Sequence, residues 1–177
     1  MKLTSALSAV ILACTLSAAM PVLANDFGTA MFYYNNQNYT QAFPILKKLA
    51  EQGDANAQNN LGVMYRKGYG VPQDYQQAAS WYKKAAEQGD ANAQYNLGWM
   101  YGSGYGVSQN YTEAMVWYKK AHAQGHAKAT GMIGVSYDYG DGVEQNKSTA
   151  KQWYGKACDL GEQQGCDDYK RLHQQGY

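Results

Sequence analysis

The chain has 177 residues, with 15 basic and 14 acidic side chains and a formal net charge of +1. That balance argues against a nucleic-acid binder and against a protein drawn electrostatically to membranes. Mean hydropathy is low at −0.59, yet 17 tyrosines supply an aromatic surface that a disordered chain would not carry.

Residues 1–24 read as a signal peptide. Lys2 gives a short positive start, and residues 3–19 are apolar apart from Thr4, Ser5, Ser8, Thr15 and Ser17. Pro21 breaks the run, and Val22-Leu23-Ala24 offers small-residue cleavage chemistry before Asn25. The run is marginal for a membrane span, which needs roughly 20 apolar residues. Ile11-Leu12-Ala13-Cys14 loosely matches a lipoprotein signal, but Leu12 suits it poorly, so a lipoprotein held through Cys14 is the lesser alternative. The expectation is a periplasmic or secreted product with no integral membrane segment. Removal of residues 1–24 takes Lys2 and no acid, leaving 14 basic and 14 acidic residues.

Residues 25–54 form a partial repeat. Ala30-Met31-Phe32-Tyr33-Tyr34 predicts a short helix, and Asn38 onward predicts a second one, which Pro44 should bend. Three full copies follow at a spacing of 36 residues, over 55–90, 91–126 and 127–162. A fixed period of this length predicts an all-α solenoid of helix-turn-helix units. Helix A of each unit is predicted over Ala55–Lys67, Ala91–Ser103 and Ala127–Tyr139. Gly62, Gly98 and Gly134 lie inside it at a cost of about 1 kcal/mol each, so a close neighbour is expected to demand them.

Gly68-Tyr69-Gly70-Val71 and its counterparts at Gly104 and Gly140 end helix A, with glycine in the left-handed turn. Asp74, Asn110 and Asn146 should cap helix B. Trp81-Tyr82, Trp117-Tyr118 and Trp153-Tyr154 should fill the space between units. Lys83-Lys84 and Lys119-Lys120 suit a helix C-terminus. Residues 163–177 predict a capping helix with a polar outer face. Cys158 and Cys166 are the cysteines left after signal removal, and export favours a bridge between them over free thiols.

The motif LGxMYxxGxGVxxDYxxAxxWYKKAAEQGDAxAQ resembles the Sel1-like repeat, a relative of the tetratricopeptide repeat. The resemblance covers nearly all of the chain after the signal. It is weaker in the third copy, where Ile133 replaces Leu. It implies a right-handed α-solenoid and an adaptor role, often in bacterial envelopes. The Cys158 and Cys166 pair is similar to the bridge of cysteine-rich Sel1 proteins, which carry one in most repeats. Here it stands once, as a local end clamp.

Candidate chemistry is sparse. His122 and His126 are four apart, but Gly125 ends the helix between them, so no metal site is expected. The Gly-x-Gly loops follow helices, not strands, so they build no phosphate-binding turn. No nucleophile motif is readable, and neither catalysis nor a cofactor is expected. Glu51, Glu87 and Asp90, at unit junctions, read as caps.

The informative positions are those where the copies differ. Asn59, Tyr95 and Gly131 are equivalent, as are Val63, Trp99 and Val135, and Arg66, Gly102 and Asp138. Their spacings of four and three place them on one side of helix A, the concave side of such solenoids. Asn59, Val63, Arg66, Tyr95, Trp99 and Asp138 are therefore the predicted partner-binding residues. Trp99 is either an exposed anchor or packing between units. The expected function is an adaptor for a protein or peptide partner, with neutralisation of a toxic effector as one form of it. The alternative implied by the resemblance is weak β-lactam binding or hydrolysis.

Overall fold

The computed structural model describes residues 26–177. The signal peptide expected at residues 1–24, with Cys14, lies outside the described residues. Among those described, nine helices follow one another with no strand between them. They are α1 (Phe27–Asn35), α2 (Tyr39–Glu51), α3 (Ala55–Lys67), α4 (Tyr75–Glu87), α5 (Ala91–Ser103), α6 (Tyr111–His122), α7 (Ala127–Tyr139), α8 (Lys147–Asp159) and α9 (Gln163–Gln174). Each packs chiefly on the helix before it and the helix after it. The fold is an all-α solenoid, with the core strung between successive pairs.

Capping sets the boundaries. Asp54 and Asp90 accept from the backbone N–H of Ala57 and Ala93 at 2.8 and 2.6 Å, which starts α3 and α5. Asp74, Asn110 and Asn146 accept from Gln77, Glu113 and Thr149 at 2.9 to 3.0 Å, which starts α4, α6 and α8. Helix A stops at a left-handed glycine, as at Gly104 with φ 72°. Helix α2 runs from Tyr39 to Glu51 with Pro44 inside it, exposed to solvent. The missing N–H there removes one backbone bond without ending the helix.

The glycine inside helix A has a specific neighbour. A Cβ at Gly62, Gly98 or Gly134 would stand 2.7 Å from the ring of Tyr82, Tyr118 or Tyr154. These tyrosines are 0 to 2% exposed. The close neighbour is thus an aromatic ring of helix B, joined at Gly98 by the Ala114 carbonyl at 3.1 Å. Alanines complete the approach: Ala78, Ala85, Ala121, Ala150 and Ala157 are fully buried.

Units are joined in three ways. The loop after helix A docks on the start of the preceding helix B. At Gly106, also in the left-handed region, a Cβ would run into the Tyr75 carbonyl. Tyr105 stacks on Tyr75 at 4.8 Å, and Tyr69 stacks on Tyr39 at 4.2 Å. In the third copy Asp141 replaces that tyrosine, so Tyr111 has no ring from this loop to stack on. Second, buried glutamines bridge neighbours. Gln94 donates to the Ala86 carbonyl at 3.2 Å and accepts from Gln124 at 2.9 Å. Gln58 repeats this with Ala50 and Gln88, at 3.0 and 2.7 Å. Third, Trp81 and Trp117 lie buried against the cores of successive units.

The lysine pairs do more than face the helix dipole. Lys84, Lys120 and Lys156 sit 3.9, 3.9 and 4.0 Å above the rings of Trp81, Trp117 and Trp153. Each holds its charge on an aromatic face while its stem covers apolar surface. Lys83 instead pairs with Glu87 at 3.9 Å, in the open, where such a pair stabilises little.

At the far end, α9 begins at Gln163, and fully buried Leu172 packs beside Ala150 and Tyr154. The disulfide Cys158–Cys166 ties the last turn of α8 to the first turn of α9, with a Cα–Cα distance of 4.5 Å.

Two outcomes follow from this packing. Gly98→Ala should lower stability in urea denaturation by about 1–3 kcal/mol. The gain of about 1 kcal/mol in helix propensity does not offset the clash with Tyr118. Reduction of the disulfide, or Cys158→Ser with Cys166→Ser, should cost about 2–3 kcal/mol by the same measurement.

Candidate partner-binding groove on the A helices

The tyrosine that fills each unit also organises the face beyond it. Its hydroxyl reaches the third variable position of helix A. In the first copy, Arg66 Nε donates to the Tyr82 hydroxyl at 3.1 Å. Burial pushes the Tyr82 hydroxyl up to about 12, and the Arg66 charge opposes part of that rise. Held in this way, the guanidinium lies 5.4 Å above the Trp99 ring of the next unit. Trp99 meets Tyr105 at 5.3 Å on another side. It is half-buried, so it packs between units and still presents an edge.

Tyr95, one turn earlier on α5, stacks on His126 with ring centroids 4.8 Å apart. Burial raises its hydroxyl above the usual tyrosine value; Arg66 opposes the rise and Glu162 adds to it. Around these residues lies a depression of about 320 Å³, walled by Arg66, Asn92, Tyr95, Asn96, Trp99, His126 and Lys128. Tyr95 and Lys128 also wall an adjoining depression of about 310 Å³. The second one is mostly apolar, with Gly131, Met132, Val135 and Tyr154 among its walls beside the carboxylates Glu162 and Asp168. Gly131 has no side chain where the other copies have Asn59 and Tyr95, and this opens the space.

Of the residues predicted from sequence, Arg66, Tyr95 and Trp99 converge on one depression. Asn59 lies beside it, accepting from Asn96 Nδ2 at 3.1 Å. Val63 instead packs on the core cluster around Leu97 and Met100. Asp138 departs from the expectation. It is 3% exposed, accepts from Tyr154 at 3.3 Å, and is closed over by Arg171 at 2.5 Å. Arg171 bonds Asp168 as well, and the Asp138 hydrogen bond is the main reason its guanidinium is held above its ordinary pKa. A carboxylate so engaged fixes α9 to α7 and offers nothing to a partner.

The histidines also have structural tasks. His126 stands where the other copies have Asp54 and Asp90, and its Nδ1 accepts from the Ala129 N–H at 3.1 Å to cap α7. His122 Nδ1 meets the Thr130 hydroxyl at 2.8 Å. Among the described residues no cluster of three or more His, Cys, Asp or Glu could hold a metal. Asp90 is a cap, whereas Glu51 and Glu87 pair with Lys47 and Lys83 at 4.0 and 3.9 Å. Sequence reasoning missed Lys128 and Glu162. Lys128 departs from Asn56 and Asn92, a signal of the same kind that pointed to Trp99. Glu162 holds the capping position of α9 yet makes no capping bond.

A family model for the Sel1 repeat matches residues 36–54, 55–90, 91–126 and 127–162. The chain belongs to the Sel1 repeat family. Among solved structures it is similar to a Sel1 repeat protein from Oxalobacter formigenes, at 40% identity and a TM-score of 0.77, over 84% of this chain and 59% of that one. It is similar at 37% identity, TM-score 0.80, to a protective antigen present in uropathogenic Escherichia coli strains, over 84% of this chain and 33% of that one. The chain therefore spans less than two thirds of either. Cysteine rich protein B of Helicobacter pylori shares the fold at 22% identity and a TM-score of 0.53, over 78% of this chain and 92% of that one. No curated protein matches. A Sel1 repeat scaffold is suited to holding other proteins.

The His126 cap makes one junction sensitive to acid. Burial, with Lys128 nearby, lowers its pKa below 6.5. Only the ring with an unprotonated Nδ1 can accept from Ala129. The cap's contribution is therefore present above the unfolded value near 6.5 and is lost as pH falls through the lowered folded value. Between pH 7 and pH 5, stability should drop by about 1 kcal/mol at this cap. His126→Asp, followed by urea denaturation at both pH values, should reduce that drop.

Proposed function

We propose that this Sel1 repeat chain is an exported adaptor that holds a protein or peptide partner along the concave, A-helix face. The observation carrying this is the pair of adjoining depressions walled by residues at which the copies differ: Arg66, Tyr95, Trp99, Gly131 and Val135. Residues common to all copies are consumed by packing. Arg66, Tyr95 and Trp99, each peculiar to one copy, instead wall these depressions, and Trp, Tyr and Arg are the side chains that anchor interfaces.

Location fits this reading. The Cys158–Cys166 disulfide points to an oxidising compartment, and the signal expected at residues 1–24 would deliver the chain there. No described helix is long and apolar enough to cross a membrane. Neutralisation of an incoming toxic enzyme is one form such capture would take, with the partner blocked by occupancy of the same face.

The test exchanges variable residues between copies, which spares the fold. Trp99→Val installs the residue of the other two units, and Tyr95→Asn installs that of the first. In a pull-down from envelope extract, each should weaken partner capture by roughly 10-fold or more, the loss of an interface anchor of at least 1.4 kcal/mol. Equal capture by both variants would place the interface elsewhere. Nitrocefin turnover by the purified chain would replace the adaptor reading with the enzymatic one.

A further inference from the structure

We infer that the groove selects an extended peptide segment by charge order: a carboxylate, then a bulky apolar side chain, then a cation. This rests on the adaptor reading of the same face and specifies what that face would accept.

Three observations along the groove carry it. The first depression is walled by Arg66 and Lys128 together with the amides of Asn92 and Asn96, and no carboxylate is among its walls. Arg66 is already oriented there. Its Nε is engaged by Tyr82 and its plane rests near Trp99, while its terminal nitrogens bond to no described residue. An oriented guanidinium gives up little freedom on meeting a carboxylate, and its donor fork fits one bidentately. The second depression is apolar because Gly131 leaves its floor open between Tyr95, Val135 and Tyr154. Glu162 is among the walls of this second depression and not of the first. Its position would normally be spent on capping α9, but it makes no such bond. Asp168 beside it is already committed to Arg171 and to Gln164.

The charge thus differs between the ends of the groove: Arg66 walls only the first depression, Glu162 only the second, and Tyr95 and Lys128 are common to both. Tyr95 marks the middle, with its hydroxyl within the influence of Arg66 and of Glu162. With a formal net charge of +1 for the whole chain, this order is a local arrangement and not a general excess of one sign. An extended peptide advances about 3.3 Å per residue and sends alternate side chains to one face. It is the partner whose alternate side chains can meet such patches in a row. Complementary charge fixes the direction in which it lies.

The probe is a fluorescein-labelled nine-residue peptide with a Gly-Ser background and an Asp-Ser-Phe-Ser-Lys core, titrated with the chain lacking residues 1–24 and followed by anisotropy. Companion peptides reverse the core, replace its Asp by Asn, or replace its Lys by Ser. The ordered peptide should bind, and its Asn companion should bind roughly 10-fold more weakly. Arg66→Gln should give a similar loss. Lys128→Gln, which alters an exposed side chain with no role in the fold, should do so as well. Glu162→Gln should weaken the Lys-containing peptide and leave the Ser companion unchanged. Gly131→Asn, the residue of the first copy, should fill the second depression and weaken every peptide.

If the reversed or uncharged peptides bind as well as the ordered one, the charge order is wrong and the adaptor reading stands. If no peptide binds while Trp99-dependent partner capture persists, an extended charged segment is not the ligand. If both fail, the adaptor reading itself is removed.

Discussion

Everything in this molecule is arranged around an aromatic ring lying on a glycine. Tyr82, Tyr118 and Tyr154 occupy the space that a side chain at Gly62, Gly98 or Gly134 would have taken. The contact draws the two helices of a unit together and leaves little freedom in either. It also carries the tyrosine hydroxyl one turn along helix A, to the residue four after the glycine. What waits there differs in each copy. Arg66 is gripped and aimed over Trp99. Gly102 leaves space beside the Tyr118 hydroxyl, which lies 3.7 Å from where a Cβ would stand. Asp138 is shut in by Arg171. One packing device therefore has three outcomes, and the character of the open face is set from inside the core.

The third copy is where the pattern loosens. Thr130 replaces the buried glutamine of the first two units and bonds its own helix at the His126 carbonyl. His122 stands at the place of Ala50 and Ala86 and turns its ring to Thr130. Asp141 removes a stacked tyrosine from the loop. His126 replaces an aspartate cap. His122, His126 and Thr130 lie together at the junction between α6 and α7, with Asp141 at the other end of α7, and the same junction supplies Lys128 and Gly131 to the groove. Departures from the ideal unit supply the groove's own chemistry at the expense of the regular joints.

The fold was legible because its determinants are local and repeated. Glycine after helix A, a short polar cap before helix B, and a Trp-Tyr pair can be read at fixed offsets without knowing what they touch. The helix limits of α3, α5 and α7 fall where the 36-residue pattern puts them. The face was less legible, because it depends on which side chains meet across units. Position alone made Asp138 equivalent to Arg66. Nothing local says that an arginine thirty-three residues further on covers it. Val63 likewise shares a position with Trp99, but its shorter side chain ends in the core. Lys128 and Glu162 were within reach, since both depart from the residues of the sister copies.

Nearest-neighbour packing carries a further consequence, for how such a protein can change. Each helix leans on the one before and the one after, so an added 36-residue unit meets surfaces it already fits. The fold would accept the insertion almost anywhere between copies. The groove would not, because its two depressions share Tyr95 and Lys128 across one particular junction. Splitting that junction would separate Arg66 from Gly131 and leave every helix intact. The order of the units is thus a grammar for the surface: the same words, shuffled, still fold, but they state a different ligand.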